Sequence, residues 1–117
     1  MKKETLERYI HKAIDNVAVL MGKLQDDFTY SYEWGIASQL YRESHQLRIM
    51  KRMLQQWSET DETDEVFLKR FKSELIEELI STSPVGNSTS DDSNHAKRLR
   101  IEAIQRLINH YGILADI

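Results

Sequence analysis

Six residues of this chain have the types and the spacing to do chemistry together. Trp34, Ser38, Tyr41, His45, Arg48 and Arg52 follow one another at intervals of four, three, four, three and four, the repeat that places side chains on one face of a helix. Aromatic rings and guanidinium groups on a common face can stack on bases and neutralise phosphates. The plainer reading is an aromatic helix end that merges into a solvated basic face, with arginine stems covering the rings. A second basic cluster, AKRLR, brings Lys97, Arg98 and Arg100 into the first turns of an expected helix. Positive charge there opposes the helix dipole at a cost of roughly a few tenths of a kcal/mol per residue. Asp91 and Asp92 just upstream are one compensation, and an anionic partner is the other.

Catalytic signatures are lacking. The sequence contains no G-x-S-x-G elbow, no glycine-rich phosphate loop, no H-E-x-x-H and no E-x-x-H pair, so neither the common hydrolase and kinase chemistries nor a di-iron bundle is indicated. There is no cysteine, which removes thiolate catalysis, disulfides and cysteine-based zinc sites. The histidines are His11, His45, His95 and His110, with Glu7 one turn before His11. Glu43 falls on the apolar seam of its helix, where with a histidine of a facing helix it could hold a metal. The simpler expectation is a seam glutamate neutralised by an Arg or Lys of a neighbouring helix. No catalytic residue, cofactor or metal is therefore expected.

The elements that would carry these groups are helices. A chain of 117 residues with one proline, Pro84, and four glycines is sized for a single domain and has long stretches with nothing to break a helix. The first apolar stripe is Leu6, Ile10, Ala13, Val17, Leu20 and Leu24, flanked by Tyr9, Ile14 and Met21. Gly22 lies within it, at a position where a neighbouring helix could approach closely. A second stripe, Ile36, Leu40, Leu47, Met50, Leu54 and Trp57, predicts a helix over about 32–57, with Ile49 and Met53 off its seam. The acidic run ETDETDE, residues 59–65, ends that helix and starts the next, with Thr60, Asp61 or Thr63 as its N-cap. Leu68, Phe71, Leu75 and Leu79, widened by Phe67, Ile76 and Ile80, predict a third helix over about 64–81. Residues 81–94 read as a flexible connector, rich in serine and holding the only proline. Ser93 or Asn94 then caps a fourth helix with the stripe Leu99, Ile101, Ile104, Leu107, Ile108 and Tyr111, closed by Gly112 and Ile113.

The aromatic stretch FTYSYEW, residues 28–34, alternates as a strand would, but no second strand is available to pair with it. It reads instead as a corner between helices, with Ser31 as N-cap, Phe28 and Trp34 as core plugs, and Tyr30 and Tyr32 left to cap the bundle or to face a partner. The expected fold is a single all-α domain over residues 1–117, a four-helix bundle of up-down-up-down course. That course would gather FTYSYEW, the connector, Lys97, Arg98 and Arg100 at one pole and leave ETDETDE and both termini at the other.

Charge and apolar width bound the function. Residues 1–58 carry nine Lys and Arg against seven Asp and Glu, and residues 59–117 carry seven against twelve, for a net charge of −3. Neither half is basic enough to predict nucleic-acid binding from bulk electrostatics. No run of about 18 apolar residues exists to span a membrane, and the charged N-terminal segment does not resemble a signal peptide. The wide stripes on the first two helices, with Ile14, Met21, Ile49 and Met53 at their margins, suggest apolar ridges left for a partner. The expectation is thus a small cytoplasmic protein-interaction module that binds a protein partner and forms a homodimer. Nucleic-acid binding at the aromatic and basic pole, through Tyr30, Tyr32, Trp34, Tyr41, His45, Arg48, Arg52, Lys97, Arg98 and Arg100, is the alternative.

Overall fold

The chain is seen in a computed structural model that describes residues 2–26, 30–82 and 91–109, with the helix backbone alone at 25–26, 30–34, 82, 91–94 and 109. Four α-helices and no strand occur among these residues: α1 (Lys3–Asp26), α2 (Tyr30–Glu59), α3 (Asp64–Thr82) and α4 (Asp91–Asn109). At 30 residues α2 is the longest, about 45 Å from end to end. It lies most closely along α1, then α4, and meets α3 least, whereas among the described residues the backbone of α1 meets α2 alone and α3 meets α4 as well as α2.

This central position explains the width of the apolar pattern on α2. A helix contacted on two sides must bury two ridges, so Ile49 and Met53, expected at the exposed margin, are as buried as Met50 and Trp57. Leu47 and Leu54 pack half-buried against the same core. Leu6, Ile10 and Ala13 of α1, Phe67, Leu68, Phe71 and Leu75 of α3, and Ile104 and Leu107 of α4 complete it. Four apolar side chains buried among the described residues, Leu20, Ile36, Leu99 and Ala103, stand outside this cluster. The third stripe is narrower than its sequence pattern implies, since Ile76 and Ile80 face outward.

The α2–α3 turn is fastened by ring stacking and hydrogen bonds. Trp57 stacks on Phe67 at 5.5 Å between ring centroids, and Phe67 meets Phe71 at 5.8 Å. The indole Nε1 of Trp57 donates to Asp64 Oδ1 at 2.8 Å, so the ring is buried without stranding its donor. Thr63 is the N-cap of α3: its Oγ1 accepts from the backbone N–H of Val66 at 3.4 Å. Arg70 donates to Glu62 at 2.7 Å and to Glu74 at 2.9 Å, and its hydrogen bond holds the Glu62 carboxyl below its ordinary range. Lys3 of α1 sits 5.6 Å over the Trp57 ring.

Helix ends depart from the expected ones. The second helix begins at Tyr30, so Ser31 lies inside it rather than capping it, and Tyr30–Trp34 form helix rather than a corner. Nothing in that stretch forbids helix, and the alternation of aromatics carries no weight without a partner strand. At the other junction α3 runs to Thr82 and α4 starts at Asp91, which shortens the expected connector from both sides and places Ser93 and Asn94 within the helix. An acidic pair begins a helix as well as a serine cap does. Phe28, Thr29, residues 83–90, His110, Tyr111, Gly112 and Ile113 lie outside the described residues. A Cβ built on Gly22 meets nothing within 4 Å, so the expected close approach of a neighbouring helix there is absent among the described residues.

Candidate interaction surface

The side chains that define the candidate surface are set by how α4 lies on α2. Ser38 Oγ meets His95 Nε2 at 3.1 Å, Arg42 Nη1 donates to Glu102 Oε2 at 2.9 Å, and Arg106 Nη1 stands 3.5 Å from Glu43 Oε1. Partners advance in the same direction along both helices, so the start of α4 lies beside the early turns of α2. Arg106 is the cationic neighbour that a seam glutamate requires, and Glu43 is accordingly an ion-paired residue with only 8% of its surface exposed. No group of three or more His, Asp or Glu able to hold a metal occurs among the described residues.

This seam is polar to an unusual degree for a helix interior. Gln46, one turn beyond Glu43, is 0% exposed, and neither its Oε1 nor its Nε2 has a hydrogen-bonding partner. Glu43 Oε2, His45 Nε2, and the Nε atoms of Arg42, Arg52 and Arg100 are likewise enclosed and unpartnered. Among the described residues every such atom except Arg100 Nε belongs to α2, Gln56 Oε1 being the remaining one. Buried polar atoms of this kind normally find partners, so the α2 surface is where this fold departs from ordinary interior chemistry.

His45 is the focus of the basic groups. The imidazole is half-buried, and burial, which disfavours its charged form, pushes its pKa below the ordinary 6.5. Glu78 of α3 opposes that shift, while Arg48 and Arg52 of α2 and Arg100 of α4 reinforce it. Arg52 donates to Glu78 at 2.9 Å and lies 5.7 Å over the Phe71 ring. His45, Arg48 and Arg52 thus share one stripe of α2, and Arg100 of α4 acts on the same imidazole through its charge, although the sequence placed Arg100 in a separate cluster.

The remaining expected residues divide. Tyr41 is exposed on the same stripe of α2, and Arg98 is exposed on α4 with Lys97 half-buried beside it. Because α4 starts at Asp91, Lys97, Arg98 and Arg100 lie beyond its first turn, where the dipole effect has faded; the expected electrostatic penalty disappears. The side chains of Tyr30, Tyr32 and Trp34 lie outside the described residues. Sequence reasoning missed Gln46, Glu78 and Arg106: Glu78 and Arg106 become informative only through an ion pair with α2, and Gln46 only through its complete burial.

A second, apolar surface lies on α1. Ile14 is 41% exposed and Met21 51%, and with the exposed Ala18 between them they form a ridge at i, i+4 and i+7. Val19 is exposed on another side of the same helix. On α3, Ile76 and Ile80 lie one turn apart and exposed, Ile80 at 68%.

Comparison with protein-family models, curated proteins and solved structures finds no match for this chain. No helix among the described residues is long and apolar enough to cross a membrane.

Proposed function

We propose that the chain is a cytoplasmic protein-interaction module, an up-down-up-down four-helix bundle that binds rather than catalyses, and that the partner on α1 is a second copy of itself. The observation that carries this reading is the Ile14, Ala18 and Met21 ridge. It runs along a helix whose backbone approaches only one other described helix, and a two-fold pairing would bury the ridge against its own counterpart. The course of the chain is supported by the order of its pairs: Lys3 near Trp57, Arg52 with Glu78, and the co-directional series from Ser38–His95 to Glu43–Arg106.

Light scattering on the purified chain tests the reading. At about 50 µM, where even a micromolar dimer is populated, the mass should be twice that of one chain. A mass of one chain at that concentration would dismiss self-association.

A further inference from the structure

A different surface carries a second conclusion, which stands whether or not two copies pair through α1. We propose that the cleft where the C-terminal end of α2 meets α3 binds a positively charged side chain, arginine or lysine, of a protein partner. The cleft has a volume of about 290 Å³, opens to solvent, and is lined by Gln56, Glu59 and Thr60 from the end of α2 and the turn after it, and by Arg70 and Glu74 from α3. Its carboxylates can be reached: Glu59 is exposed, and the Glu74 side chain is 44% exposed. Glu59 is the last residue of α2, where the partial negative charge of the helix end and its unpaired carbonyl groups favour a cation and disfavour a carboxylate. No basic residue stands in that last turn, and Glu59 has no ion-pair partner among the described residues. A cation from outside the fold would relieve both.

Arg70 lines the cleft but is already committed. Its Nε and Nη2 donate to Glu62 Oε1 at 3.0 and 2.7 Å, and its Nη1 donates to Glu74 Oε1 at 2.9 Å. Three carboxylates, Glu59, Glu62 and Glu74, thus stand against one guanidinium, and this excess of acceptors over donors selects a donor-rich, positively charged guest rather than an anion. Two further cations of this end of the bundle have contacts of their own, Lys69 at 3.6 Å from Glu65 and Lys3 over the Trp57 ring. An organic cation fits better than a metal ion, since the described residues include no group of three or more His, Asp or Glu able to hold one. The volume is at the lower bound for small-molecule pockets, roughly 300 Å³, and so suits one side chain rather than a larger ligand.

The probe is a blocked tripeptide, acetyl-Gly-Arg-Gly-amide, titrated into the full chain at pH 7 and constant ionic strength while the Thr60 amide and Arg70 Nε signals are followed by NMR. Saturable movement of those signals is expected, and the affinity should fall as salt is raised. Glu59→Gln with Glu74→Gln should weaken binding by about tenfold. Asp15→Asn removes the same charge from an exposed position of α1 and should leave it unchanged. Melting curves show that each variant remains folded, and Glu59→Gln alone, an exposed change that the helix end favours, tests the site if the double variant unfolds. The same peptide with citrulline in place of arginine and the free polyamine spermidine form the other two arms. Spermidine binding no tighter than the arginine peptide upholds the assignment to a protein side chain. Overturning results are no saturable response to the arginine peptide, an equal response to the citrulline peptide, binding as tight in the glutamate variants as in the parent, or spermidine binding tighter than the peptide, which would make a free polyamine the guest.

Discussion

Replacing Gln46 by methionine should stabilise this fold. Gln46 is fully enclosed, and both of its amide atoms lack a partner. Leaving a buried donor or acceptor unpaired costs about 1–3 kcal/mol each. Methionine is close in length and flexibility, so the exchange conserves volume, and the repacking it demands costs under about 1.5 kcal/mol. Taking the low end for each of the two orphaned atoms against the full repacking cost leaves a gain of about 0.5 kcal/mol, and milder repacking raises it to about 2 kcal/mol. For a chain of this size that corresponds to a rise in Tm of about 2–8 °C. Urea unfolding followed by helical circular dichroism, with parent and variant at the same chain concentration, should show a higher midpoint and an unchanged slope. Gln46→Ala should fall below the parent, because it removes the amide but opens a cavity. If Gln46→Met instead loses about 1 kcal/mol or more, the amide is satisfied in solution, by an enclosed water or a bound group, and the description of the seam as polar and unsatisfied is wrong.

Three further outcomes follow from particular residues. Gly22→Ala should stabilise by about 0.5–1 kcal/mol in the same assay, since the position is helical and its Cβ would meet open space; a loss would mean that something outside the described residues packs there. Because the folded-state pKa of His45 lies below its unfolded value of 6.5, the unfolded chain binds more protons, so stability is full above pH 6.5 and declines as the pH falls below it. His45→Leu should flatten that decline in denaturation curves taken between pH 7.5 and 5, and an unaltered slope would place the titration elsewhere. Glu43→Met should cost little or be neutral, because Arg106 is one-third exposed and can turn to water when its partner is lost; a large loss would mark the pair as a structural anchor.

The fold class and the run of each helix were legible because apolar residues recur with helical period and glycine and proline are scarce. The N-cap of α3 was legible only as one of Thr60, Asp61 and Thr63; the Val66 N–H bond to Thr63 Oγ1 decides among them. The buried face of α2 was not. Periodicity locates the centre of a stripe, yet a helix packed on both sides buries its margins too, and so Ile49 and Met53 passed for exposed residues when they are core. Ile76 and Ile80 show the reverse error: apolar residues beside a stripe with no neighbour to cover them. Arg48 and Arg52 could be placed on one face with His45 from spacing alone, but Glu78 reaches Arg52 from α3, and no local pattern encodes a contact between residues so far apart in the chain. The expected partner type for Glu43 was legible from chemistry; that it is Arg106 depended on the register of α4 against α2.

The interaction reading stands or falls on whether the α1 ridges of two copies face one another. The chain has no cysteine, so Ala18→Cys supplies its only thiol, at the centre of the ridge. In a two-fold pairing about that centre the two Cα atoms come within the roughly 4.4–6.8 Å that a disulfide spans. Mild oxidation should convert this variant almost wholly to a covalent dimer, while Lys51→Cys on the exposed side of α2 and Ala18→Cys combined with Ile14→Glu and Met21→Glu should remain largely monomeric. Equal cross-linking at all three, or none at Ala18→Cys, would contradict the proposed pairing.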